Sequence, residues 1–379
     1  MSVTLTRPAR SRARFHDLSV SRIERLTDQS VAVSFAVPEG LREEFAFEPG
    51  QHLTLRSTIA DEDARRSYSI CLSRGEALRR GELRVATARV PGGLMSNWLN
   101  DHAAVGDELA VMTPMGGFTC PTRPESARHH VAIAAGSGIT PVMSLLTTAL
   151  EDEPASRVTL IFGNRRTDSI MFLEELMDLK NRFPGRFTLI NVLSREVQDV
   201  ELFSGRIDRE RVERFIQTFV PVEQVDEWYL CGPFGMVETA REVLEEHGAD
   251  DHHVHHEVFH VDELGASVPP TTGLAIDDPD GTADSGPQAT VTITLDGRTT
   301  QVPMRSRAES ILAATLRERP DAPFSCTGGV CGTCRARLVD GEVRMDRNYA
   351  LEPEEIAAGI VLACQSHPVT DEVTLDYDA

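Results

Sequence analysis

Cys326-Thr-Gly-Gly-Val-Cys331-Gly-Thr-Cys334 is the stretch that decides the reading of this chain, and Val361-Leu-Ala-Cys364-Gln-Ser completes it. As a spacing it is C-x4-C-x2-C with a distant fourth cysteine, the arrangement that holds a [2Fe-2S] cluster. Four thiolates must converge on two irons, so three come from one tight loop and the fourth from an element folded back beside it. Gly328, Gly329 and Gly332 let the backbone wrap the inorganic sulfurs and aim amide N–H groups at them. Disulfides would suit a secreted chain, which nothing here resembles. Zinc sites usually use two separated C-x2-C pairs, and only Cys331 and Cys334 form one. The four cysteines are therefore assigned to a cluster that passes electrons singly, and the rest of the chain must supply or receive them.

The 379 residues suffice for two or three domains with proper cores, in proportions ordinary for a soluble globular protein. A formal charge of -21 argues against a nucleic-acid or anionic-membrane partner, because phosphate would be repelled over most of the surface. The first residues, with Arg7, Arg10, Arg12 and Arg14, lack a following apolar run and read as a mobile tail without an export signal. Val131 to Leu150 carries no charge and is long enough to span a bilayer. The Gly136-Ser137-Gly138-Ile-Thr140-Pro141 in its middle breaks it into strand, loop and helix, so no membrane span is expected. Seven cysteines, four of them in a cluster, fit a reducing cytoplasm.

From about Phe15 to Thr113 short β-rich runs alternate with turns: Ser30 to Phe35, His52 to Leu55, Ser67 to Ile70, Leu83 to Ala86 and Glu108 to Val111. Such spacing predicts an antiparallel barrel. On it stand Arg66-Ser-Tyr68-Ser69 and Pro91-Gly92-Gly93-Leu-Met-Ser96. The first offers a guanidinium for phosphate, an aromatic face and a small hydroxyl; the second leads into a helix over Leu94 to Asn100 whose free N–H groups favour pyrophosphate. Taken singly, each is equally an ordinary strand or turn.

From Val131 the pattern becomes alternating strand and helix, a parallel sheet with ligands beyond the carboxyl ends of its strands. The strands are Val131 to Ala135, Val158 to Phe162, Phe187 to Leu193 and Trp228 to Cys231, with helices at Pro141 to Leu150, Ser169 to Lys180, Arg209 to Phe219 and Gly235 to His247. Gly136, Ser137 and Gly138 open the first helix, with Thr140 as its N-cap and Pro141 at N1, and offer an anion site. Arg165 follows the second strand, and Ser194-Arg195 follows the third. A hydroxyl beside a guanidinium there suits the 2′-phosphate of NADPH, where a carboxylate would suit NADH; the plain alternative is a solvated arginine with an N-capping serine. Cys231-Gly232-Pro233 ends the last strand, where the cysteine could also be a small buried hydrophobe. His252, His253, His255 and His256 invite a metal, but strand alternation sends neighbours to opposite faces and argues against one.

Asp262 to Gln288 holds six acidic residues and no basic ones among Pro, Gly, Ser and Thr, and reads as an acidic flexible linker. Beyond it come a hairpin turning at Asp296-Gly297, a helix over Ser310 to Arg319, the cysteine loop, and a further turn at Gly341. The boundaries are set at 1–122, 123–261, 262–287 for the linker, and 288–379.

Together these runs resemble the ferredoxin-NADP reductase superfamily with a C-terminal β-grasp ferredoxin module. The resemblance implies an FAD-binding β-barrel, an NADP-binding α/β domain and a [2Fe-2S] ferredoxin-like α+β domain. It implies that Tyr68 packs on the isoalloxazine, that Ser69 approaches its N5 region, and that Arg66, Gly92, Gly93 and Ser96 hold flavin phosphates. Ala88 departs from it, since relatives often carry a basic residue there, so one phosphate contact is missing. Pro114-Met-Gly116-Gly-Phe118 is similar to the loop that closes the two reductase domains. Cys231 is implied beside the nicotinamide, and Glu257 and Phe259 near the flavin.

Phe162-Gly-Asn-Arg-Arg166, Ser169-Ile-Met-Phe172 and Leu193-Ser-Arg-Glu196 are similar to reductase components of phenylacetyl-CoA (ring-1,2-) epoxidase complexes, whose partner is a diiron oxygenase. The rival resemblance is to reductases of Rieske-type hydroxylases, such as steroid ring-hydroxylating systems. The chain shows no diiron ligand set, so oxygen chemistry belongs to a separate oxygenase component of a multicomponent monooxygenase. A redox sensor or scaffold is the alternative from another class, and the joint nucleotide and flavin marks argue against it.

Overall fold

A computed structural model describes residues 13–260 and 288–379. The linker expected over 262–287 and nearly all of the basic tail lie outside the described residues.

The N-terminal module is an antiparallel sheet of β1 (Phe15–Thr27), β2 (Ser30–Ala36), β3 (His52–Ile59), β4 (Glu62–Ser69), β5 (Glu82–Ala88) and β6 (Glu108–Met112). Its order is β4-β3-β6-β1-β2-β5, and a bridge between Ile70 and Val85 joins the two ends into a barrel. Period-2 side chains such as Leu18, Val33, Leu53, Leu55, Val85 and Val111 fill the interior. Two helices, α1 (Arg74–Arg80) and α2 (Leu94–Asp101), cover the ends, the second burying Met95 and Leu99 at i,i+4 spacing.

The second module is the parallel sheet β11-β10-β7-β8-β9, built from β7 (His129–Ala135), β8 (Arg157–Asn164), β9 (Phe187–Leu193), β10 (Glu227–Pro233) and β11 (Val254–His260). Between them run α3 (Ile139–Asp152), α4 (Leu173–Arg182), α5 (Arg209–Thr218) and α6 (Phe234–Glu246). The uncharged stretch of sequence is explained by α3, every residue of which from Ile139 to Leu150 is buried. It lies between sheet and barrel, and a helix covered on all sides must be apolar all round. Ser144 donates to the Leu72 carbonyl at 2.7 Å, and the Arg74 N–H donates to Thr148 at 3.1 Å, so α3 is tied to the barrel as well as to its own sheet. One apolar core, including Cys71, Ala86, Phe118, Met143 and Phe162, therefore runs through both modules. Among the described residues no helix is long and apolar enough to cross a membrane.

The C-terminal module contains β12 (Ala289–Leu295), β13 (Arg298–Met304), α7 (Ile311–Glu318), β14 (Arg335–Asp340), β15 (Val343–Met345), α8 (Pro353–Ala357), β16 (Ile360–Leu362), β17 (Ser366–Pro368) and β18 (Glu372–Asp376). The main sheet runs β13-β12-β18-β14-β16, with β12 and β18 parallel at its centre, and β15 pairs with β17. Asp296 and Gly297 both take positive φ, 54° and 68°, as the two-residue hairpin turn requires. The cysteine loop fills the span between α7 and β14, and Cys364 lies two residues beyond the end of β16.

Candidate active site and cluster loop

A cleft of about 1400 Å³ opens where the barrel faces the carboxyl ends of the parallel strands. The barrel side contributes Gln29, Ala88, Arg89 and Pro91, and the sheet contributes Gly136, Ser137, Asn164, Arg165, Ser194, Gly232, Pro233 and Phe259. Ligands of open α/β sheets bind at this edge because strand ends and helix N-termini meet there. Arg206, which sequence reasoning missed, also lines the cleft. Arg195 is exposed and outside the lining, its backbone N–H donating to the Arg165 carbonyl at 2.8 Å. Glu196 is engaged with the Thr167 N–H and hydroxyl at 2.9 and 2.8 Å, which hold its carboxyl below the usual range.

The loop that opens α3 differs in detail from the expectation. Gly136–Gly138 forms a 3-10 turn that runs straight into the helix, so the N-cap is Gly138 and not Thr140. Thr140 lies inside the first turn, buried, with its hydroxyl donating to the Ser137 carbonyl at 3.0 Å. Gly138 has no room for a side chain: a Cβ there would lie 2.2 Å from the Cys231 carbonyl oxygen. That close approach packs the helix start against the end of β10, with Gly136 and Ser137 in the cleft lining.

Arg66, Tyr68 and Ser69 sit together on β4, behind the cleft rather than in its lining. Arg66 donates to the Arg65 carbonyl at 2.7 Å; Tyr68 is packed on the barrel core, and burial pushes its phenol up. Gly92, Gly93 and Ser96 lead into α2, and Ser96 Oγ is buried without a hydrogen-bond partner. Asn164 Nδ2 on the sheet side is likewise buried and unpartnered. Asn164 lines the cleft, and an orphaned polar atom there is what a bound polar cofactor would satisfy.

Cys231 and Glu257 stand opposite each other on β10 and β11. Cys231 is buried and Glu257 half-buried, both without a counter-ion: burial, then the Glu257 charge, pushes the Cys231 thiol up, and burial, then Cys331, raises the Glu257 carboxyl to about 8. Glu257 Oε2 has no hydrogen-bond partner.

In the cysteine loop, Cys326 accepts from the Val330 and Cys331 N–H groups at 3.4 and 3.3 Å. Gly329 and Gly332 take positive φ as the tight turn requires, but the other left-handed residue is Thr327 rather than Gly328. All four cysteines are free thiols, and they influence one another's ionisation in two pairs, Cys326 with Cys331 and Cys334 with Cys364. No three of their sulfurs lie within 4.8 Å of one another. Two dithiol pairs suit two irons, whereas a mononuclear zinc would draw all four together.

Three family profiles match in the same order: an oxidoreductase FAD-binding domain over 17–120, an oxidoreductase NAD-binding domain over 132–242, and a 2Fe-2S iron-sulfur cluster binding domain over 293–369. A component of the 1,2-phenylacetyl-CoA epoxidase of Escherichia coli is 40% identical over 96% of this chain and 98% of its own length. The chain belongs to this family of flavin and iron-sulfur reductases. The ferredoxin reductase component of the 3-ketosteroid-9-alpha-monooxygenase of Rhodococcus rhodochrous is 33% identical over 95% of this chain and 96% of its own. Phthalate dioxygenase reductase, at 22% identity, shares the fold with a TM-score of 0.54 over 96% of this chain and 98% of its own.

The reductase thus binds FAD, a nicotinamide nucleotide and a [2Fe-2S] cluster, and its cluster loop is docked on both other modules. Thr333, 3.1 Å from Cys331 Sγ, reaches His52 Nε2 at 3.4 Å, and His52 pairs across the sheet with Ser69. Burial lowers the His52 imidazole to about 4, so this contact is made by a neutral ring. Arg65 lies 4.3 Å over the Phe324 ring, and Tyr349 meets Phe234 edge-on at 5.5 Å. His256 and His252 approach Glu352 and Glu354 beside α8 at 3.9 and 3.7 Å. Cys331 is thereby placed beside the Ser69 strand.

Proposed function

We propose that this reductase draws electrons from NADPH and delivers them, by way of FAD and its cluster, to a diiron oxygenase that epoxidises phenylacetyl-CoA. The observation that carries the reading is the chain of contacts Ser69, His52, Thr333 and Cys331. It sets the cluster loop against the strand that carries the proposed flavin residues, which supports transfer between the two carriers within a single polypeptide. When bound, FAD accepts a hydride and releases electrons singly, which suits it to stand between a nicotinamide and a one-electron cluster.

The protein's own residues bind, orient and exclude water. Gly136, Ser137 and Gly138 at the start of α3 receive the nucleotide pyrophosphate, and Arg66, Gly92, Gly93 and Ser96 hold that of the flavin. Tyr68 and Phe259 supply aromatic faces. Gly232 and Pro233 shape the nicotinamide end of the cleft, where the buried Cys231 thiol stays protonated and Glu257 carries its proton below about 8. Arg165 and Arg206 in the lining, with Ser194 and the flanking Arg195, favour the 2′-phosphate of NADPH over a ribose hydroxyl. The nearby Glu196, which would favour NADH, is turned away to Thr167. We place the modules at 1–122, 123–261 and 288–379, joined by the linker 262–287, in a cytoplasmic protein.

Reconstitution tests the partner. The purified reductase, mixed with a phenylacetyl-CoA epoxidase oxygenase and NADPH, is expected to support epoxide formation. Productive coupling only to a 3-ketosteroid hydroxylase would refute the assignment.

A further inference from the structure

A second set of metal-type donors converges at the amino end of the parallel sheet, on the side opposite the cleft. Among the described residues, Cys120, Glu227 and His255 are the one trio of potential ligand atoms within 4.8 Å of one another. His255 Nε2 and His253 Nδ1 approach the same Glu227 Oε2 at 3.0 and 3.3 Å. Alternation along β11 does separate His255 from His256, but His253 belongs to the 3-10 turn Asp251–His253 that precedes the strand, and the turn swings it back onto the His255 face.

We propose that Cys120, Glu227, His253 and His255 form a tetrahedral site for a borderline-soft divalent metal ion of the zinc class. One thiolate, one carboxylate and two imidazoles are a zinc donor set. Ligand bonds of about 2.0–2.3 Å place donors roughly 3.3–3.7 Å apart around a tetrahedron; Cys120, Glu227 and His255 already lie within 4.8 Å of one another, and His253, 3.3 Å from Glu227 Oε2, reaches the fourth position by a rotation of its half-exposed side chain. Outer support is in place as well. Arg128 donates to Glu227 Oε1 at 3.0 Å and to Cys120 Sγ at 3.4 Å, leaving Oε2 for the metal. Arg128 is itself clamped by Glu153, which also binds His130 at 3.0 Å, and His130 binds the Tyr229 hydroxyl at 3.1 Å. Such second-shell anchoring fixes ligand orientation. A surface hollow of about 390 Å³ lined by Glu227 and His253 provides entry.

The site is separate from the electron-transfer machinery. Glu227 begins β10 and Cys231 lies four residues further along it, roughly 13 Å at strand rise. Cys120 comes from the connector between barrel and sheet, Glu227 and His255 from adjacent strands, and His253 from the turn before β11. A metal there would pin the connector to the sheet edge, acting as a structural staple.

The test uses the full chain with FAD and cluster in place, stripped of adventitious metal by a chelator that leaves the iron content unchanged. The expected result is uptake of one Zn2+ per chain, with a zinc K-edge absorption spectrum showing one sulfur and three nitrogen or oxygen ligands. Cys120→Ser and His253→Ala are each expected to weaken zinc affinity at least tenfold without loss of iron or flavin; His253, on an exposed turn, keeps the test available if the buried variant folds poorly. Absence of uptake overturns the proposal. So does uptake that neither variant weakens tenfold, or a shell of four sulfurs, which would place the zinc in the cluster loop.

Discussion

Gly138→Ala probes how the nucleotide loop is seated. The added Cβ would lie 2.2 Å from the Cys231 oxygen, 2.5 Å from its carbonyl carbon and 2.9 Å from the Gly232 nitrogen, all backbone atoms that cannot rotate away. To restore ordinary contact the start of α3 must withdraw from β10 by about 1 Å, at a cost in packing of roughly 1–3 kcal/mol. A misplacement of that size between donor and acceptor lowers a transfer rate by about 100-fold. Anaerobic stopped-flow mixing with NADPH is expected to show flavin bleaching slowed by about that factor, with flavin and iron content unchanged. Gly117→Ala is the control, because a Cβ there meets no atom within 4 Å; its rate is expected within about twofold of the native one. Bleaching of Gly138→Ala at the native rate, or an equal loss in the control, would refute the reasoning.

Arg165→Ala and Arg206→Ala each remove a charge-assisted contact of about 1.5–3 kcal/mol. Each should lower kcat/KM for NADPH about 10- to 150-fold while leaving NADH within about twofold; equal losses for both nucleotides would count against a 2′-phosphate site. Cys331→Ser should abolish the cluster's absorbance and transfer to the oxygenase while sparing flavin reduction by NADPH, and loss of both would deny separable carriers. Glu153→Gln leaves Arg128 buried without its main counter-charge and should destabilise the protein by about 3–5 kcal/mol in denaturant titration. Burial alone would raise the Glu153 carboxyl, but bonds from Arg128, His130 and Ser156 hold it at about 2. Its contribution is therefore complete above the usual carboxylate range and is lost as pH falls toward about 2; the variant should lack that part of the native acid transition, and an unchanged acid profile would contradict the assignment.

What the sequence made legible follows from how local each signal is. The cysteine loop could be read outright because its ligand spacing is a local constraint, and the parallel strands because fully buried strands are continuous apolar runs. The long β1 went unread: Arg22, Glu24 and Arg25 interrupt its apolar pattern, and register shifts at Val20/Arg22 and Arg25/Thr27 break the period-2 alternation. The seven-residue α1 is too short to show a helical period, although its Ser73 cap is made. Thr140 followed by Pro141 looks like a helix start, but the 3-10 turn begins the coil earlier. Arg206 carries no local mark at all, since it reaches the cleft only because the chain after β9 folds back over the strand ends. The grouping of His253 with His255 depended likewise on a turn whose geometry composition does not reveal.

On the proposed route, electrons from NADPH pass within this one chain from an organic carrier to an inorganic one. Low-temperature electron paramagnetic resonance of the anaerobic, fully loaded protein, frozen at intervals after mixing with NADPH, tests it most directly. The account predicts that the signal of the reduced [2Fe-2S] cluster grows in after flavin bleaching, and that it is missing in Cys331→Ser. Full bleaching of the flavin beside a cluster that stays oxidised, yet is reduced by dithionite, would contradict it.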